Sequence, residues 1–291
     1  MSYTPDEIKK IQNLRKELNA SISLCSKVLI ESEWNEIEAR TLIIKEFEKI
    51  ALKKKDNRIN HSLIFISVKP KYISYIILGC ETDFSLNNEK FYECGTLLVN
   101  ADNDNIENLN KIIVPYIGAL GENIQITKFE KIDINDNYSY YLHNPIKDHC
   151  GTALSIIQLS NGEENSEIGK RLAQHICVFK PKTIEEFYNE KFLFHEEILV
   201  KDILNYKKLK EFIEDLIKVD YSSLEEMKKN ENVKKYSYIE SFLSQIMQHI
   251  FIFKPKTMND FLKQKWLINS SIIVEQLFTE IHINNFYLYE V

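Results

Sequence analysis

Two runs, HSLIFISVKP (61–70) and KYISYIILGC (71–80), meet at Pro70-Lys71. Both are rich in β-branched and aromatic residues, and a turn signal between two such runs predicts a β-hairpin. This feature constrains the fold most. Strands joined so briefly must be antiparallel, because a parallel pair needs a long crossover. Helical periodicity lies on both sides of the hairpin, so the expected class is α+β. With 291 residues, the chain fits two or three domains.

Upstream, YTPDEIKKIQNLRKEL opens on a helix-start signature. Thr4 caps, Pro5 suits the first helical position, and Glu7 completes a capping box. Tyr3 and Ile8 stand where a hydrophobic staple forms, and Ile8, Ile11, Leu14 and Leu18 make one apolar stripe. Asn19-Ala20-Ser21 breaks the helix. A second short helix carries Leu24, Cys25, Val28 and Leu29, and a third starts at Asn35 with Glu38 and continues through Ile37, Ile43, Phe47 and Ile50. These helices form a small bundle over residues 1–56. The charged, unpatterned KKKDNRIN (53–60) reads as a linker.

After the hairpin, Asn87 or Asn88 caps a helix bearing Phe91, Cys94 and Leu98. A further helix, with Ile106, Leu109, Ile113 and Ile117 inward, ends at Gly121. NIQITKFE, YSYYLH and GTALSIIQL are strands, SNGEEN (160–165) is a turn, and a helix follows from about Ser166 to Phe179. Residues 61–100 and 137–180 thus repeat one plan of hairpin strands, turn and helix. From 183 to 268 the chain is mostly helical, and NFYLYEV is a last strand. QHICVFKPKT (174–183) and QHIFIFKPKT (248–257) match at an offset of 74. They are either a duplicated unit or a coincidence in a chain of narrow composition; flanks that diverge quickly favour coincidence.

Chemistry is harder to find. A formal net charge of −6 argues against a general nucleic-acid surface, which needs clustered Lys and Arg. Five scattered cysteines without a CxxC pair suggest reduced thiols in a reducing compartment. No apolar run approaches a membrane span, and no signal peptide is expected, since Met1 leads straight to a helix start. His143, Asp148, His149 and Cys150 cluster in HNPIKDHC, but no second ligand pair accompanies them, so no metal is expected. No phosphate-binding glycine motif and no HExxH occur. His175 and His249, each on an apolar helix, read as core or cap histidines. Cys80 or Cys150 would be the nucleophile if the chain were a thiol enzyme. The remaining feature is Thr82-Asp83-Phe84-Ser85, at the end of the second hairpin strand. Either Asp83 caps a helix and Phe84 packs inward, or Phe84 projects as a wedge for a partner. A buried ring is worth about 2–3 kcal/mol there.

These residues carry a resemblance. ILGCETDFSLN is similar to the signature of translation elongation factor Ts in which a strand runs into Gln-Thr-Asp-Phe-Val; Thr82, Asp83 and Phe84 match. LRKELNASISLCSKVL (14–29) resembles that family's first signature at Leu14, Arg15, Ala20, Cys25, Lys27 and Leu29. GENIQI (121–126), YLHNPIKDHCGTALSII (141–157) and AQHICVFKP (173–181) resemble later motifs, in order along the chain.

The resemblance implies a guanine-nucleotide exchange factor without an active site of its own, acting on elongation factor Tu in its GDP-bound and nucleotide-free states. It implies a three-helix, ubiquitin-associated-like module at 1–56, a core subdomain at 57–133, and a second, related subdomain at 134–291 with a largely helical insertion. Thr82, Asp83, Phe84 and Ser85 would displace the partner's Mg²⁺ environment; Arg15, Ile22 and Ser23 would dock the N-terminal module; His143 would add a contact from the second subdomain. No cofactor, no direct nucleic acid and no membrane are expected. AT-biased composition and drifted signatures suggest an organelle interior, mitochondrion or plastid, with the bacterial cytoplasm as the alternative. A non-catalytic scaffold or ubiquitin-type binding protein built on the N-terminal bundle is the competing function.

Overall fold

The computed structural model describes residues 3–101, 105–134, 137–160 and 166–291, with backbone alone at 196 and 197. The turn expected at SNGEEN lies, beyond Ser160, outside the described residues.

The chain opens with α1 (Pro5–Leu18), α2 (Ile22–Glu31) and α3 (Glu36–Lys54). The capping box of Thr4 and Glu7 is present. At the position of the expected staple, Tyr3 sets its ring edge-on to Trp34, at 6.0 Å between centroids, and Ile8 is largely exposed. The inward faces are narrower than the apolar residues suggest. Ile11, Leu14, Cys25, Val28, Leu29, Ile43 and Phe47 are buried, whereas Ile37 is 74% exposed.

Next come β1 (His61–Val68) and β2 (Tyr72–Cys80), the expected antiparallel hairpin, in register from His61 opposite Cys80 to Val68 opposite Ile73. A four-residue helix, α4 (Asp83–Leu86), precedes α5 (Glu89–Asn100), which Asn88 caps. α6 (Ile106–Leu120) ends at Gly121, whose φ of 71° is the left-handed conformation a helix stop requires. β3 (Ile124–Asp133) pairs with β2. β4 (Asn137–His143) starts a second sheet, while β5 (Cys150–Gly151) adds to the first, beside β1. β6 (Ala153–Ser160) pairs with β4, and α7 (Glu167–Phe179) covers both. The rest is α8 (Ile184–Asn189), β7 (Lys191–Phe192), β8 (His195–Leu199), α9 (Val200–Leu204), α10 (Lys207–Ile217), α11 (Leu224–Lys228), α12 (Glu240–Phe253), α13 (Met258–Lys263) and β9 (His282–Glu290). This is the expected α+β class.

Two compact units result. The first holds residues 1–133, 144–152 and 290–291; the second holds 134–143 and 153–289. The first has a sheet of order β3-β2-β1-β5, with Leu63, Phe65, Ile76 and Leu78 buried against Phe91, Cys94 and Leu98 of α5. The N-terminal bundle belongs to this unit. Phe47 of α3 lies against Gly118 of α6, where a Cβ would stand 2.0 Å from the ring. The stretch 53–60 is no free linker. Asn123 Nδ2 donates to the Asn57 carbonyl at 2.7 Å, and Gln125 Nε2 donates to the Lys55 carbonyl at 2.8 Å. The acceptors are backbone oxygens, which no residue pattern reveals.

The second unit has a sheet of order β4-β6-β9 and a large helical core. Within it, the match between 174–183 and 248–257 proves structural. Leu193 N–H donates to His175 Nδ1 at 3.0 Å, and His175 Nε2 meets Glu190 Oε2 at 2.8 Å. Seventy-four positions on, Leu267 N–H donates to His249 Nδ1 at 3.2 Å, and His249 Nε2 meets Gln264 Oε1 at 2.8 Å. Lys180 and Lys254 both end their helices in the left-handed conformation. Thr183 and Thr257 cap the helices that follow. Lys191 pairs with Leu199 as Lys265 pairs with Ile273, and Val200 N–H reaches the Glu190 carbonyl as Val274 N–H reaches that of Gln264. Coincidence does not produce so many equivalent bonds at one offset, so the duplicated-unit reading replaces it.

Candidate functional site

Strand β2 delivers the chain to Thr82, and two loops meet there. Thr82 is extended, with φ −127° and ψ 157°, and its hydroxyl accepts from Ser85 N–H at 3.3 Å, so Thr82 caps α4. Asp83, expected as the cap, is the first helical residue instead and is exposed; a carboxylate is favourable beside the free amides of a first turn. Phe84 is 77% exposed. Inward packing of its ring is thereby excluded. Ser85 takes the inward place, 1% exposed, where α4 packs on β1 and β2. Its small side chain lets the turn sit close to the sheet, and its hydroxyl is not available to a partner.

The turn is held crosswise by the loop after α6. Glu122 accepts from the Thr82 amide at 3.1 Å with one carboxylate oxygen and from the Thr82 hydroxyl at 2.7 Å with the other. In return Glu81 accepts from the Asn123 amide at 2.6 Å and from Asn57 Nδ2 at 2.9 Å, with Lys54 Nζ at 3.9 Å. Burial pushes the Glu81 carboxyl up, but those three partners outweigh it and hold it below the usual carboxylate range. Cys80 donates its thiol to the Thr82 carbonyl at 3.3 Å. Burial, with Glu122 nearby, pushes that thiol up to about 12. Burial also raises Cys150. Both are therefore poor nucleophiles, which removes the support for a thiol enzyme.

Of the other expected residues, Arg15, Ile22 and Ser23 are exposed around the corner between α1 and α2. That corner is tied to α5 by Lys90 Nζ, which donates to the Asn19 carbonyl at 3.2 Å. His143 is half-buried at the end of β4 in the second unit, its Nδ1 3.1 Å from Tyr141 Oη. Sequence reasoning missed Glu81, Glu122 and Asn123 as site residues; the only signal was that Glu122 and Asn123 fall in the GENIQI motif. Among the described residues, no group of three His, Cys, Asp or Glu is placed to hold a metal, and no helix is long and apolar enough to cross a membrane.

The fold thus defines an α+β chain of two units, each setting helices on an antiparallel sheet, with one aromatic displayed on a clamped turn. A family model described as Elongation factor TS matches residues 81–291. The chain belongs to the elongation factor Ts family. It is 28% identical over 218 residues to Elongation factor Ts of Ehrlichia canis (strain Jake), covering 68% of this chain and 72% of that protein. Against Elongation factor Ts of Rickettsia prowazekii (strain Madrid E) the identity is 26% over 268 residues, 84% of this chain and 81% of that protein. Against Elongation factor Ts of Buchnera aphidicola subsp. Acyrthosiphon pisum (strain 5A) it is 30% over 181 residues, 59% and 64%. Membership makes the chain a translation elongation factor and implies a nucleotide-exchange role toward elongation factor Tu rather than catalysis of its own. These relatives are bacterial, and they give the organellar expectation no support.

Proposed function

We propose that the chain binds elongation factor Tu in its GDP-bound and nucleotide-free states and drives GDP release by inserting Asp83 and Phe84 beside the partner's Mg²⁺ and phosphate site. The observation that carries this reading is the exposure of Phe84 on a turn held by Thr82 and by buried Ser85. Burying that ring in an apolar slot is worth about 2–3 kcal/mol, enough for a hot spot. Asp83 meets polar groups at the rim of the slot. A partner that binds best when its phosphate site is distorted must hold nucleotide more weakly, by linkage. Residues 1–56 act as a docking module through Arg15, Ile22 and Ser23. The core subdomain 57–133 carries the wedge, and 134–291 contributes His143.

The test is release of a fluorescent GDP from elongation factor Tu with and without this protein. Accelerated release that falls with Phe84→Ala is the expected result. Release that the wild-type chain leaves unchanged overturns the proposal.

A further inference from the structure

We infer that Glu122 is a positioning residue for Phe84: its carboxylate, by taking both the amide and the hydroxyl proton of Thr82, fixes the direction in which the aromatic ring is presented. The inference rests on the exchange reading above and adds to it a residue outside the wedge itself.

Four observations lead there. Thr82, with Glu81, joins β2 to α4, and all its polar groups are engaged. Its amide and hydroxyl donate to Glu122, and its carbonyl accepts from Cys80 Sγ and from Leu86 N–H at 3.1 Å. Its hydroxyl oxygen in turn accepts from Ser85 N–H. The proton of that hydroxyl is spoken for by Glu122, so its lone pair is turned toward the first turn of α4. Secondly, a helix of four residues closes only a few backbone bonds, Leu86 N–H to Thr82 and Asn87 N–H to Asp83 among them, so its orientation leans on its cap. Thirdly, Glu122 comes into reach because Gly121 leaves α6 in the left-handed conformation and swings the chain toward β2. Finally, Glu81 returns the grip on the Asn123 amide, which fixes the loop that bears Glu122. A carboxylate offers each of the two donors its own oxygen, with charge assistance. Glutamine offers one oxygen and turns an NH₂ group toward a donor.

The experiment uses the full chain and elongation factor Tu. Amide hydrogen exchange of Ser85, Leu86 and Asn87 reports the turn directly, and GDP release reports the wedge. Glu122→Gln is expected to speed exchange at those three amides about tenfold, the effect of one charge-assisted hydrogen bond lost, while amides of β1 and β2 stay protected. GDP release should slow by a similar factor. Thr82→Val, which removes both the hydroxyl bond to Glu122 and the cap on Ser85 N–H, should speed exchange at least as much as Glu122→Gln, and Thr82→Ser, which keeps the hydroxyl, should behave like wild type. In a Phe84→Ala background, Glu122→Gln should cause no further slowing, since nothing remains to aim. Unchanged protection at Ser85–Asn87 in Glu122→Gln overturns the inference, as does a slowing that adds in full to that of Phe84→Ala. If Phe84→Ala alone leaves GDP release untouched, the exchange reading fails, and the amide data still decide whether Glu122 holds the turn.

Discussion

Three short helices begin on a threonine hydroxyl, one in the first unit and two in the second, and their phenylalanines go to opposite places. The hydroxyl accepts from the third helical amide in each: Ser85 after Thr82, Glu186 after Thr183, and Asp260 after Thr257. Phe187 and Phe261 sit at the fourth helical position and are fully buried. Phe84 sits at the second. In α8 and α13 the second position holds Glu185 and Asn259, both exposed. Phe84 therefore occupies the helical position that is exposed in all three. Bringing it inward would mean rotating the helix and breaking the cap. The difference teaches that the ring's exposure is specified locally and is not a defect of core packing.

The largest effects should separate the buried rings from the displayed one. Phe187→Ala and Phe261→Ala each remove a ring from a closed core and should cost about 3–5 kcal/mol in chemical denaturation, against under about 0.5 kcal/mol for Phe84→Ala. A cost at Phe84 as large as at Phe187 would erase the contrast.

Binding should invert the order. Phe84→Ala should weaken the complex with elongation factor Tu by about 1.5–3 kcal/mol, roughly ten- to a hundredfold, measured by titration calorimetry. A folded Phe84→Ala protein with undiminished affinity would leave the displayed ring without a purpose.

The caps come next. Thr183→Val and Thr257→Val should each lower stability by about 1 kcal/mol and leave partner affinity alone, because their helices face the core. Thr82→Val should lower both. Equal affinity for all three variants would show that the α4 cap has no share in presentation.

The smallest effect concerns the two histidines behind α8 and α13. In both, a backbone amide donates to Nδ1, so Nε2 carries the proton and the ring is neutral; the approach of His175 to Glu190 is a hydrogen bond and not an ion pair. Burial lowers His175 from 6.5 to about 4, and burial lowers His249, partly offset by its bond to Gln264. Between those pH values the unfolded chain binds the proton and the folded chain does not. The stability tied to His175 is therefore complete above about 6.5 and is lost as pH falls toward about 4. Burial, then Glu186, raises Glu190, so its contribution runs the other way: it is present at low pH and lost as the carboxyl ionises. Glu190→Gln, which copies the Gln264 arrangement, should raise stability at neutral pH by under about 1 kcal/mol and leave the acid slope from His175 in place. A mutant less stable at neutral pH would mean that the charge of Glu190 strengthens its bond by more than burial costs.

Much of this architecture is readable in residues. Hairpin, caps and the stop at Gly121 are written in side chains whose local preferences agree with the fold. The direction of Phe84 is not, because four residues make too short a helix to show a period. The fastening of 53–60 rests on backbone carbonyls, which every residue has. Ile37 looks like a core residue and is not, since the bundle buries only a narrow stripe. The duplication was the hardest to see. Its bonds persist where identities do not, Glu190 for Gln264 and Phe192 for Trp266, so beyond the eight identities within 174–183 and 248–257 the repeated letters are scattered.

That repetition sets a problem for folding. A chain that contains one motif twice offers each nascent copy two seats of nearly the same shape, and misassembly of repeated segments is a known failure of such chains. Here the seats are made unequal in the residues that stack on the histidine. His175 faces Phe192, with ring centroids 5.9 Å apart, and His249 faces Trp266 at 5.1 Å. Phe192 is fully buried and also set edge-on against Tyr238 at 5.1 Å. Trp266 in that seat would overpack it at about 1–3 kcal/mol, and Phe192 in the other would leave a void. The ring that stacks on each histidine thus gives the two copies seats of different shape.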